Sequence, residues 1–130
     1  MKFTLVTTIR NIEEWLMAVQ NYRQSREEMV MRYLRRGYLR TPRLAESMRR
    51  APRELFVEPH FSHLVYSDRP IPISHFKGDW PPQAYQHPQF YEPLDPQKGD
   101  SFREMGTDSG YGATQGLLVK KSPHRLTVFP

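Results

Sequence analysis

The stretch Gly106-Thr107-Asp108-Ser109-Gly110 is the part of this 130-residue chain whose residue types best suit a small ligand. Glycines at both ends of a short turn allow backbone conformations closed to other residues, and they let a ligand approach the main chain. Amides at the start of a following helix would favour carboxylate or hydroxyl oxygens. Taken alone, two glycines in a loop also read as an ordinary structural turn. The other chemistry-bearing residues are weaker. His60 and His63 could share one helical face, but a metal site needs further ligands, and both read as surface or half-buried histidines. His75 and His87 have no evident nucleophile beside them, so no catalytic residue and no metal site is assigned. Asp68, just ahead of Arg69-Pro70, reads as a turn former.

The elements that would position the glycine turn follow from the flanking pattern. Phe102 to Met105 has the length of a short strand, Tyr111 to Val119 reads as a helix, and Leu126-Thr127-Val128-Phe129 as a second strand. This is the strand, glycine turn, helix, strand order that opens a nucleotide-binding α/β fold. The N-terminal half is helical in pattern. Asn11 and Glu14 form a capping-box pair, followed by Ile12, Trp15, Leu16 and Val19 at helical spacing, with Trp15 expected in the core. Met29, Val30, Tyr33 and Leu34 make a second stripe that stops at Gly37. One long helix or two shorter ones fit Asn11 to Arg36, since Ser25 could cap a new start. Thr41-Pro42 opens a further helix with Leu44 and Met48 on its buried face, and Leu55, Phe56 and Val57 are expected to be buried. Alternate prolines make Arg69 to Ile73 extended.

Longer blocks carry a family resemblance. Met29-Val30, the run Glu46 to Val57 containing Pro52-Arg53-Glu54-Leu55-Phe56-Val57, Tyr66 to Ile73, and Lys98 to Tyr111 together resemble the protein-L-isoaspartate O-methyltransferase family over roughly Ser25 to Gly116. The family pattern lysine, proline, glycine, aspartate, apolar strand, Glu-x-Gly-Thr-Gly-Ser-Gly-Tyr is met by Lys98, Gly99, Asp100, Glu104, Gly106, Thr107, Ser109, Gly110 and Tyr111. The resemblance implies a Rossmann-like methyltransferase fold. It implies S-adenosylmethionine as cofactor, contacted by Glu104, Gly106, Thr107, Ser109 and Gly110. It also implies carboxyl methylation of L-isoaspartyl residues in a damaged protein or peptide.

Departures from the family pattern accompany the matches. Asp108 stands where the family has the central glycine of the turn, and Arg103 interrupts the apolar strand. In the family's active-site stretch, Gly-x-x-x-Thr-x-Ser-x-Pro, Gly78 falls at the threonine and Trp80 at the serine, and only Pro82 agrees. The family helix that follows is expected to be missing, because prolines punctuate the region. No acid ends the second strand to bind a ribose. These departures count against full activity and point to a truncated or degenerate copy.

Composition sets the remaining bounds. The chain has the length of one modest domain, with 38% hydrophobic residues and 12 prolines. It has no cysteine, which excludes disulfides and cysteine-based zinc sites and fits a reducing compartment. No apolar run suggests a membrane span or a secretory signal, so a cytoplasmic protein is the expectation. Net charge is +5, and between Arg35 and Arg53 seven arginines face one acid, Glu46. A solvated helix surface explains that run. The alternative is a non-catalytic basic helical protein binding nucleic acid or an acidic partner, with nucleic acid disfavoured because aromatic residues are not interleaved. The expected organisation is a helical region over 1–73, an irregular proline-rich segment over 74–97, and a partial cofactor-binding unit over 98–130, in an incomplete α/β fold.

Overall fold

The computed structural model describes residues 12–71, 84–100, 103–105, 110–112, 114 and 127–129. One helix, α1 (Ile12–Arg36), covers both N-terminal apolar stripes, so Ser25 starts nothing new. Gly37 ends it with φ +73, a left-handed conformation that glycine adopts without strain. The Tyr33 carbonyl accepts from Tyr38 N–H at 3.1 Å, which closes the helix end. After a short turn, α2 (Pro42–Arg50) begins at the expected Thr41-Pro42.

The core gathers where the second half of α1 meets α2. Met29, Val30 and Tyr33 are fully buried and share a cluster with Leu39, Leu44, Ala45 and Met48. Val65, Tyr66, Ala84 and Tyr91 complete it from later in the chain. The first half of α1 overhangs this core: residues 12–21 are exposed throughout. Trp15, expected in the core, is 46% exposed. Helical spacing marks a face that could be covered, and here no described element covers it. Leu55 is likewise 57% exposed, and Phe56 and Val57 are half-buried rather than buried. They lie on or beside a 3-10 helix, Arg53–Phe56, whose three-residue repeat turns Leu55 outward and Arg53 inward.

The chain also forms a helix, α3 (Gln86–Leu94), inside the region expected to be irregular. Its two prolines differ in cost. Pro88 lies in the first turn, whose N–H groups have no intrahelical acceptor, so its missing donor removes no bond. Pro93 lies inside the helix and forgoes the bond to the carbonyl four residues back, and the helix stops one residue later at Leu94. Asp95 then takes a left-handed φ of 41 and its N–H is shared by the Tyr91 and Glu92 carbonyls. Two short strands follow, β1 (Arg103–Met105) and β2 (Thr127–Phe129), paired in parallel with Glu104 opposite Val128. Parallel neighbours require a crossover between them.

Candidate cofactor turn and its seat

Half-buried polar side chains fasten α1 to the segment that follows α2. Arg26 donates to Glu54 at 2.6 Å, to the Tyr66 hydroxyl at 2.7 Å and to the Arg49 carbonyl at 3.1 Å. The Tyr66 hydroxyl in turn donates to Glu54. Asp68 collects the Tyr33 hydroxyl at 2.5 Å and the guanidinium of Arg32 at 3.3 Å, with Arg36 at 3.5 Å. Asp68 is therefore the anchor of α1 rather than a local turn former. Burial, followed by these carboxylates, pushes the Tyr33 and Tyr66 phenols well above their ordinary value.

A second set of contacts holds α2 to α3. The Glu92 carboxylate accepts from Arg40 N–H at 2.5 Å, Thr41 N–H at 2.7 Å and the Thr41 hydroxyl at 2.7 Å. Thr41 occupies the cap position as expected, but its hydroxyl serves Glu92 instead of the helix amides. Glu92 caps α2 from a distant element. Burial would raise its carboxyl, but the three donors outweigh that and hold it below the ordinary value.

The glycine turn exits onto this scaffold. Gly110 has φ +86, and a Cβ there would meet only the Phe56 ring at 3.9 Å, so conformation rather than space requires glycine. Tyr111, 2% exposed, lies against three side chains. The Arg53 guanidinium carbon is 4.7 Å from its ring centre, His87 meets it edge-on at 5.0 Å, and Phe56 lies at 5.9 Å. Tyr91 holds the following residue by donating its hydroxyl to the Gly112 carbonyl at 2.6 Å. The Gly110 carbonyl accepts from Thr114 N–H at 3.0 Å, one helical turn on. Burial raises the Tyr111 phenol, and the Arg53 charge opposes it. Arg53 is only 4% exposed, and its Nε is buried without a hydrogen-bond partner.

Of the residues assigned to the cofactor from the sequence, Gly110 stands on this seat and Glu104 is the central residue of β1. Gly106, Thr107 and Ser109 lie outside the described residues, as do the side chain of Glu104, Asp108, Gly78, Trp80 and His75. Arg53, His87 and Tyr91 were not singled out for the site by sequence. Arg53 carried the strongest signal, being an arginine inside the most specific family block. His60 and His63 do share a 3-10 helix, Pro59–Leu64, but both are exposed. Among the described residues no group of three or more histidine, aspartate or glutamate side chains could hold a metal ion. No helix among them is long and apolar enough to cross a membrane.

The arginine-rich stretch is largely spent on structure. Arg36, Arg43 and Arg49 pair with Asp68, Asp95 and Glu27, and Arg53 is buried. A groove of about 600 Å³ between α1 and α2 is lined by charges of both signs, including Arg23, Arg50, Glu27 and Glu46. It shares no residue with the seat of the glycine turn.

Residues 24–123 match the family described as protein-L-isoaspartate(D-aspartate) O-methyltransferase. A protein-L-isoaspartate O-methyltransferase of Hyperthermus butylicus is 38% identical over 101 residues, covering 78% of this chain and 39% of the relative. One of Aeropyrum pernix is 38% identical over 90 residues, covering 69% and 34%. One of Methanospirillum hungatei is 39% identical over 88 residues, covering 68% and 40%. The chain thus spans well under half the length of each of these relatives. The match runs through every block that builds the seat, from Arg26 to Tyr111, and the chain belongs to the protein-L-isoaspartate(D-aspartate) O-methyltransferase family.

Proposed function

We propose that this chain binds S-adenosylmethionine at the turn 106–110 and serves methylation of the isoaspartyl carboxyl group in damaged proteins. The observation that carries the reading is the coincidence of the family match with a buried seat for Gly110 and Tyr111. Family membership implies a Rossmann-like methyltransferase fold. In this reading β1, the glycine turn, the helical turn after Gly110 and β2 form its opening unit, with the ligand beyond the carboxyl end of β1. The described residues fit such a ligand, because Gly110 has no Cβ and a backbone held in a left-handed conformation from behind. Glu104, Gly106, Thr107, Ser109 and Gly110 are the proposed contacts.

When bound, S-adenosylmethionine supplies a methyl carbon made electrophilic by its sulfonium. The chain's own part is to fix that group in position, since alignment with a carboxylate oxygen supplies much of the rate. An isoaspartyl carboxylate is ionised at neutral pH, so no protein base is required. The proposed substrate is an isoaspartyl-containing protein or peptide, and the proposed location is the cytoplasm.

Calorimetric titration of the chain with S-adenosylmethionine tests the reading. Binding that disappears in Gly106→Val and Gly110→Val, with circular dichroism unchanged, is the expected result. A folded chain that binds none would overturn it. Transfer of a labelled methyl group to an isoaspartyl peptide then separates cofactor binding from catalysis.

A further inference from the structure

Arg53 is an unusual residue to find inside a small domain. It is 4% exposed, its Nε has no acceptor, and among the described residues no carboxylate lies within ion-pair distance of it. A buried guanidinium carries a desolvation cost that an apolar side chain does not. Its described contacts centre on one ring. The guanidinium carbon lies 4.7 Å from the centre of Tyr111, and the same group bonds the Tyr111 hydroxyl. A planar guanidinium can lie against a ring and donate at the same time, which a lysine ammonium cannot do as well.

The backbone carries this hold to the glycine turn. Tyr111 follows Gly110 directly, and Gly110 takes φ +86 with the Phe56 ring 3.9 Å from where its Cβ would be. Arg53 and Phe56 are three residues apart on one 3-10 helix, so they share a side of it. That helix is itself pinned, because Glu54 accepts from Arg26 of α1 at 2.6 Å and from the Tyr66 hydroxyl. Arg53 thus reaches the end of the turn from an anchored element.

We infer that Arg53 is a positioning residue for cofactor binding, a role that rests on the S-adenosylmethionine reading of the turn 106–110. Arg53 fixes Tyr111 and, through the peptide link to Gly110, keeps the end of the turn in its ligand-ready form without touching the ligand. Affinity falls in proportion to the fraction of molecules whose site is formed. A turn that is formed about one time in ten once Tyr111 is released binds about tenfold more weakly. Asp68 is the natural contrast: it anchors α1 through Tyr33, Arg32 and Arg36 and has no described contact with Tyr111.

Calorimetry with S-adenosylmethionine and hydrogen exchange, both on the whole chain, test this role against Asp68→Asn, a variant expected to lose a similar amount of stability. Arg53→Met should bind about tenfold more weakly than wild type, while Asp68→Asn keeps the wild-type affinity. Without ligand, the amides of residues 110–114 should exchange about tenfold faster in Arg53→Met than in Asp68→Asn. Tyr111→Leu should also bind weakly, and adding Arg53→Met to it should change nothing more, since Arg53 acts through Tyr111. Arg53→Lys, which keeps the charge and the long stem, should show a smaller loss in the same direction and replaces Arg53→Met if that variant does not fold. A wild-type affinity in Arg53→Met, an equal loss in Asp68→Asn, or equal exchange at 110–114 in the two variants overturns the positioning role alone. A folded wild-type chain that binds no S-adenosylmethionine overturns the reading of the turn and the positioning role with it.

Discussion

Replacing Glu92 by alanine removes the distant cap of α2 and tests whether α3 is a working part of the fold. The carboxylate accepts three bonds, two from the backbone amides of Arg40 and Thr41 and one from the Thr41 hydroxyl. Loss of a helix cap costs about 0.5–2 kcal/mol. Bonds to a charged acceptor are worth about 1.5–3 kcal/mol each, but Arg40 is exposed and its amide can turn to water, so the bonds do not add in full. The expected loss is about 2 kcal/mol, or roughly 8 °C in Tm for a domain of this size. Urea unfolding at neutral pH should show the midpoint fall with an unchanged slope.

The pH dependence sharpens the test. The Glu92 carboxyl is held below its ordinary value of 4.5 in the folded chain. Its folded state thus binds fewer protons than its unfolded state. The stabilisation is complete above that value and is lost as pH falls through the depressed folded value. The gap between wild type and Glu92→Ala should therefore close in acid. Glu92→Gln keeps an acceptor oxygen without a charge and should fall between the two at neutral pH. A wild-type midpoint in Glu92→Ala, or a gap as wide in acid as at neutrality, would refute the capping role.

Four further outcomes are expected. Arg53→Met should cost about 2–3 kcal/mol in urea, because it removes the cation over Tyr111 and the guanidinium bond to the Tyr111 hydroxyl, offset in part by removing the buried Nε that has no partner; a wild-type midpoint would contradict this. Asp68→Asn should cost about 2–3 kcal/mol by the same assay, since it weakens three donors from α1 at once. Tyr91→Phe should cost about 1–2 kcal/mol, leaving the Gly112 carbonyl unbonded, and hydrogen exchange should show faster opening around residues 110–114. Asp108→Gly, which restores the residue of the family pattern, should tighten S-adenosylmethionine about tenfold in calorimetry, equivalent to about 1.4 kcal/mol; an unchanged affinity would free Asp108 of blame.

Local signals in the sequence held where the chain's own backbone decides the outcome. Gly37 stops α1 because a positive φ is needed there, and Thr41-Pro42 starts α2 because proline suits a first turn. Leu44 and Met48 are buried at their helical spacing. The misreadings share one cause, which is dependence on a distant partner. Trp15 has the spacing of a core residue, but spacing does not reveal whether another element lies opposite. Asp68 reads as a turn former until Arg32 and Tyr33 are brought to it across more than 30 residues, and nothing local marks Glu54 and Glu92 as the acceptors of Arg26 and Thr41. Counting prolines makes the proline-rich segment look irregular, whereas their effect depends on position: Pro88 falls in the first turn of α3, where it removes no bond, and Pro93 falls one residue before α3 ends.

The two family blocks that are far apart in sequence turn out to be one physical unit. Arg53 and Phe56, from the first, supply two walls of the nest around Tyr111, from the second. His87 supplies a third from α3, which lies between the blocks, and Tyr91 of α3 bonds the adjacent Gly112 carbonyl. A ligand at the glycine turn would press on Gly110, and Gly110 is backed by Phe56. Gly110 and Tyr111 are therefore placed against the 3-10 helix at Arg53–Phe56 and against α3, which are held in turn by Glu54 and Glu92. Among the described residues, the ring contacts of Tyr111 come from Arg53, Phe56 and His87, so the two family blocks and α3 meet at one buried aromatic side chain.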